Sequence, residues 1–116
     1  MKISLVGAGI GGLSLAWPLR ERGHSVTVYD KGASPNPLSY SFDEHRATRH
    51  AYGSLKSYAR LMPHAFRRWD SLWQAIGRSH YDPIGAVYVI REANDWYSHT
   101  SASLDELGIG YLDLAA

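Results

Sequence analysis

The chain contains no cysteine. That absence excludes disulfides, thiolate zinc sites and cysteine nucleophiles from its 116 residues, and it suits a reducing compartment. Long hydrophobic runs are missing too. No stretch approaches the ~20 apolar residues that cross a bilayer. The opening segment Met1–Val6 is interrupted by Gly7, Gly9, Gly11 and Gly12 before it can act as the apolar part of a signal peptide. An excess of one charge is also lacking. Twelve Lys/Arg against eleven Asp/Glu leave a net charge of +1, so net charge gives no case for nucleic acid or an anionic membrane as partner. One local run departs from this balance: His45 to Arg68 carries six basic residues and no acid, which reads as a solvated helix face with a local anion site. There is no internal repeat and no low-complexity tract. The expectation is a soluble cytoplasmic protein.

What is present is globular in character. Hydrophobic residues make up 45% and aromatics 12%, values of a chain with a packed core. The length fits one domain and leaves no room for a second full one.

Ile3, Leu5 and Val6 form a short apolar run consistent with a strand buried on both faces, as in a parallel sheet. Leu13, Ala16, Trp17 and Arg20 follow helical spacing over 10–22, with Pro18 expected to kink the helix or disturb its last turn and Gly23 placed to end it. Ser25–Tyr29 is β-branched and alternating, a second strand ending at Asp30. Residues 31–44, with Gly32, Pro35, Pro37 and several serines, form a loop long enough to suggest function. Leu61, Met62, Ala65, Phe66, Trp69, Leu72, Trp73 and Ile76 mark an amphipathic helix ended by Gly77, with Pro63 either in its first turn or at a kink. Its aromatic stripe reads as core. Ala86–Ile90 reads as a strand, Asp95 as the cap of a helix running to Leu107 and stopped by Gly108, and residues 109–114 as a last short strand.

The strongest motif is Gly7-Ala8-Gly9-Ile10-Gly11-Gly12, which follows a strand, opens a helix and is followed by an acid, Asp30, at the end of the next strand. In that context Gly7 permits the tight turn, Gly9 admits a pyrophosphate to the backbone and Gly12 lets helix and strand pack closely. The helix N-terminus offers unpaired N–H groups to phosphate. Asp30 is placed to accept from an adenosine ribose with free hydroxyls, hence FAD or NAD, while the neighbouring Lys31 leaves NADP open.

The segment Arg46-Ala47-Thr48-Arg49-His50-Ala51-Tyr52-Gly53 chooses between them. This Arg-x-x-Arg-His-Ala-Tyr-Gly core resembles the D-amino-acid-oxidase-like flavoproteins, closest to the branch of monomeric sarcosine oxidase and N-methyltryptophan oxidase. The resemblance extends over essentially the whole chain, residues 1–116. It implies an α/β fold: a Rossmann-like FAD-binding βαβ unit with additional helices and short strands, incomplete as a stand-alone domain. It implies FAD as cofactor, with Gly7, Gly9, Ile10, Gly11 and Gly12 along the phosphates and Asp30 with Lys31 at the ribose. It also implies that Arg46 lies against the flavin ring and Arg49 pairs with the substrate carboxylate. Both roles suit arginine, one stabilising arriving negative charge and the other offering a planar fork. Asp43 and Glu44 are more acidic than the family pattern. Some relatives attach flavin through cysteine, which this chain lacks; His45 and His50 leave a histidyl link open but have no further ligands nearby for a metal.

The reaction implied is oxidation of the C–N bond of an amino acid or secondary amine, with hydride passing from the α-carbon to the flavin. The rivals are a flavin-dependent aromatic-ring monooxygenase and a non-catalytic nucleotide-binding module. A complete enzyme of the resembling family is about three times longer and adds a substrate domain. A second polypeptide or missing C-terminal sequence is therefore expected to complete the flavin and substrate sites, in a hetero-oligomer if it is a separate chain. Trp17, Trp69, Trp73 and Trp96 are expected to leave apolar surface exposed.

Overall fold

The computed structural model describes residues 1–92 and 94–114. The chain divides into two compact units, one spanning Met1–Arg46 and the other running from Ala47 onward.

The first unit is a single β-α-β turn of chain. Strand β1 (Lys2–Val6) pairs in parallel with β2 (Ser25–Tyr29), Lys2 opposite Ser25 through to Val6 opposite Tyr29. Helix α1 (Ile10–Glu21) makes the crossover and packs on both strands. It covers one face of the pair. Ile3, Leu5, Val26 and Val28 point to that face and are half-buried, whereas Lys2, Ser4, Val6, Ser25, Thr27 and Tyr29 lie exposed on the other. Val6 keeps 91% of its surface. The expectation that the first strand is buried on both faces is thus corrected. A strand has two faces, and among the described residues only one is covered by a helix.

Pro18 does not end α1, which continues to Glu21. Proline removes one N–H from the ladder, and the helix tolerates that loss three residues from its end. The exit is a Schellman turn: His24 N–H donates to the Leu19 carbonyl (3.1 Å) and Gly23 N–H to that of Arg20 (2.9 Å), with Gly23 at φ +79°.

In the second unit α2 spans Lys56–Ile76 and α3 spans Asp95–Glu106, and the two helices are in contact. Pro63 lies well past the first turn of α2. Ala51, Ala59, Met62 and Leu104 are buried, together with Thr100 and Ser103. Small side chains at 51, 59 and 103 form much of this core. Aromatic rings extend it: His50 stacks on Phe66 (4.5 Å between centroids), Phe66 meets Tyr81 edge-on and Trp69 stacks on Trp73 (5.1 Å). The aromatic stripe of α2 is therefore packing, as its spacing suggested. Gly77 and Gly108 end their helices with the same pair of back-bonds as Gly23.

Three sequence expectations are corrected here. The cap of α3 is Asn94, whose side chain accepts from Tyr97 N–H (3.0 Å), and Asp95 is the first helical residue, where its charge still favours the helix dipole. Residues 86–90 form no strand. Tyr88 lies against Trp96 and Val87 and Val89 are 86% and 94% exposed, but a strand requires a ladder partner and none of the described residues supplies one. Residues 109–114 form none either, for the same want of a ladder partner among the described residues, and two of their side chains reach α3. The Tyr97 hydroxyl donates to Asp113, and that of Tyr111 to Asp105. Apolar surface is exposed as expected, but of the four tryptophans only Trp96 contributes to it, and Val6, Ile84, Val87 and Val89 are among the most exposed apolar residues. No helix among the described residues is long and apolar enough to cross a membrane.

Candidate functional site

The site of the first unit is the turn between β1 and α1. Gly7 closes the strand at φ +102°, a value only glycine takes without strain, and its N–H donates to the Tyr29 carbonyl (2.7 Å). Gly12 is the steric anchor. A Cβ there would lie 1.8 Å from the Gly7 carbonyl oxygen, so the first turn of α1 packs directly on the backbone of the loop before it. A Cβ on Gly9 would meet the Ser41 hydroxyl at 3.0 Å, whereas one on Gly11 would meet nothing. Conformation thus demands glycine at 7 and close backbone packing demands it at 12, while at 9 a side chain would have to displace Ser41. Gly11 leaves the helix end uncovered. No acidic side chain occupies the first turn of α1, and the helix N-terminus keeps its positive character for an anion.

Asp30 stands at the end of β2 and reaches back to this turn. Its Oδ2 accepts from Ala8 N–H (2.7 Å), and its Oδ1 from Gly32 N–H (3.2 Å) and the Asn36 amide (3.1 Å). These donors, Ala8 first, hold its carboxyl below the usual aspartate value. A carboxylate offers about four lone-pair positions, and these donors occupy most of them.

The serine-rich loop supplies the remaining wall. Ser41 accepts from Ile10 N–H (3.0 Å), the first N–H of α1, and Asn36 caps its own turn by accepting from Leu38 N–H (2.9 Å). Two open clefts result. The larger, about 560 Å³, is lined by Gly7, Gly9, Asp30, Lys31, Asn36 and Ser39 among others. The smaller, about 170 Å³, runs past Ala8, Ile10 and Leu13 to Ser41 and Phe42. Gly7, Gly9, Asp30 and Lys31 line the larger cleft and Gly9 and Ile10 the smaller, whereas Gly11 and Gly12 line neither. The length of the 31–44 loop points to function, but nothing local in the sequence distinguishes Asn36, Ser39 and Ser41. Their contacts to the turn span up to 31 residues and leave no local signature.

The two arginines are held differently. Arg46, in the first unit, donates through Nη2 to the Tyr40 carbonyl and places Nε 3.4 Å from Asp43. Asp43, unexpected against the family pattern, is thus the partner of Arg46 in an exposed pair. Arg49, in the second unit, donates through Nε to the Ala51 carbonyl (3.1 Å), and its guanidinium carbon lies 5.4 Å from the centre of the Tyr52 ring.

His50, Ala51 and Gly53 of this segment serve packing. His50 is stacked on Phe66 with its Nδ1 shielded from water and unpartnered, and desolvation lowers its pKa. Ala51 is buried. Gly53, at φ +56°, donates to buried Thr100 (3.2 Å) and lies so near Trp96 that a Cβ would come within 2.5 Å of the indole. Conformation and close approach both demand glycine at 53.

A family model described as "FAD dependent oxidoreductase" matches residues 2–114. The tRNA 5-methylaminomethyl-2-thiouridine biosynthesis bifunctional protein MnmC of Psychrobacter cryohalolentis is 38% identical over 80 residues, 65% of this chain and 12% of that protein. A D-amino acid dehydrogenase of Neisseria meningitidis serogroup C is 41% identical over 51 residues, 36% of this chain and 12% of that one. The FAD-dependent monooxygenase ntnJ of Nectria sp is 33% identical over 99 residues, 80% of this chain and 23% of that one. In each of these three the matched region is less than a quarter of the relative's length. No solved structure matches.

Proposed function

The chain belongs to the FAD dependent oxidoreductase family, whose cofactor is FAD, and from that premise we propose that it carries the adenosine-diphosphate-binding part of an enzyme oxidising the C–N bond of an amino acid or secondary amine. The observation carrying the cofactor assignment is the turn itself: a helix N-terminus packed on Gly7 through Gly12, beside an ionised Asp30. Those residues fit a pyrophosphate and an adenosine ribose. In this reading Gly7, Gly9, Ile10, Gly11 and Gly12 hold the phosphates, and Asp30 with Lys31 the ribose.

When bound, FAD supplies the acceptor for the two electrons and the hydrogen leaving the substrate carbon. The chain's own residues bind and polarise. Arg49 receives the substrate carboxylate through a charge-assisted pair. Arg46 stabilises negative charge at the redox centre, for which it must exchange Asp43. The pair is exposed on both sides, so the exchange costs no more than about 1 kcal/mol. The resemblance in the Arg46–Gly53 segment and the similarity to D-amino acid dehydrogenases support the amine substrate class. The flavin and substrate sites are completed by residues outside this chain, as further sequence or as a second polypeptide. The uncovered face of the β1–β2 pair supports this.

The test is anaerobic mixing of the complete flavoprotein with N-methylated and D- or L-amino acids while following the visible flavin band. Bleaching without a nicotinamide is the expected result. The similarity to a monooxygenase over 80% of the chain supports a second reading, in which NADPH and not an amine bleaches the flavin. Bleaching by NADPH alone would replace the first reading by the second.

A further inference from the structure

We infer that Tyr52 is a positioning residue for Arg49, fixing the guanidinium so that its two terminal nitrogens present an end-on fork to the substrate carboxylate. The inference rests on the reading of Arg49 as the carboxylate partner and adds how that partner is aimed. Arginine is a long side chain with many rotamers, and an exposed one has no reason to hold a single direction. Arg49 is exposed, yet two tethers restrain it. Its Nε donates to the Ala51 carbonyl at 3.1 Å. The Tyr52 ring lies 5.4 Å from its guanidinium carbon, within the range of a cation–π contact.

Both tethers are anchored. Ala51 is 5% exposed, so its carbonyl belongs to a fixed stretch of backbone. The Tyr52 ring stacks on Tyr58, in the first turn of α2, at 5.8 Å and 24°. The orientation of Arg49 is therefore referred to a helix and not to the loop that carries it.

The tethers also choose the edge. A carboxylate can pair with arginine side-on, through Nε and one terminal nitrogen, or end-on through both terminal nitrogens. Nε is already spent on Ala51, and among the described residues Nη1 and Nη2 have no protein acceptor. The end-on edge is what remains for a ligand, and the Tyr52 face keeps the guanidinium plane from rotating away from it.

The experiment uses the complete flavoprotein and measures KM and kcat for a carboxylate-bearing substrate and for the matching amine without the carboxylate. Acetate binding, read from the perturbed flavin spectrum, gives a measure independent of turnover. Tyr52→Leu is expected to raise KM for the carboxylate substrate, and the acetate Kd, by about two- to fivefold. Turnover at saturation and the KM of the decarboxylated amine stay as they were, and Tyr52→Phe, which keeps the ring, restores the wild-type values. If Tyr52→Leu does not retain flavin, Tyr52→Met carries the same expectation. Arg49→Ala separates the two levels of the argument. If it raises KM and the acetate Kd steeply while neither Tyr52 variant does, the positioning role is wrong and the carboxylate reading stands. If Arg49→Ala itself changes neither, the carboxylate reading falls and the positioning role with it.

Discussion

Asp30 and His50 titrate against the fold in informative ways. Donors hold the Asp30 carboxyl below its ordinary value of about 3.9, so the folded state prefers it ionised. Its contribution is therefore complete above the ordinary value and is lost as pH falls through the lower folded one. Melting curves of wild type and Asp30→Asn should differ at neutral pH and converge at the acid end. His50 is lowered by desolvation, so the folded state prefers it neutral. Its share is complete above about pH 6.5 and is lost as pH falls through the folded value, since the unfolded chain then binds the extra proton. Replacing His50 by Leu should flatten the loss of melting temperature between about pH 7.5 and pH 5. The glycines divide by geometry. Gly12→Ala places a carbon 1.8 Å from a backbone oxygen and should unfold or displace α1, whereas Gly11→Ala meets nothing and should leave stability equal or raise it by up to ~1 kcal/mol. Circular dichroism melts of the two variants test this pair. Positions 7 and 12 were legible in the sequence because the motif states a backbone conformation. The roles of Ser41 and Asn36 were not, because hydroxyls and amides in loops find partners that only the folded chain brings near.

Helix ends show why some elements were readable. Among the described residues the three helices each stop at a glycine that the sequence displays, Gly23, Gly77 or Gly108, each closed by two back-bonds. These are local events, decided within six residues. The cap of α3 is local as well, but Asn94 and Asp95 are adjacent and chemically equivalent as caps, so only the structure chooses Asn94. Asn94→Ala should cost about 1 kcal/mol, measured by denaturant titration. The bond between Arg60 and Glu106 at 2.7 Å joins α2 to α3 on an exposed surface, and Glu106→Gln should cost less than about 1 kcal/mol and less still at high salt. Residues 86–90 mark the limit of local reading. Their composition is that of a strand, but pairing is a property of two segments and cannot be inferred from one.

At the scale of the molecule the chain presents two compact units, of which the first carries the glycine turn with Asp30 and the second holds Arg49. The first unit has no buried residue, and one face of its sheet is open. A nucleotide-binding unit of this kind draws stability from its ligand, because anything that binds only the folded form adds to its stability by mass action. The central claim is that this turn and Asp30 hold the adenosine half of FAD. The most direct test is the FAD dissociation constant of the complete flavoprotein, wild type against Asp30→Ala, with FMN as the ligand that lacks the adenosine. Loss of a hydrogen bond to a charged group predicts FAD weakened by about tenfold or more. FMN binding should be unchanged. Equal FAD affinity in the two proteins, or an equal loss for FMN, would contradict the account.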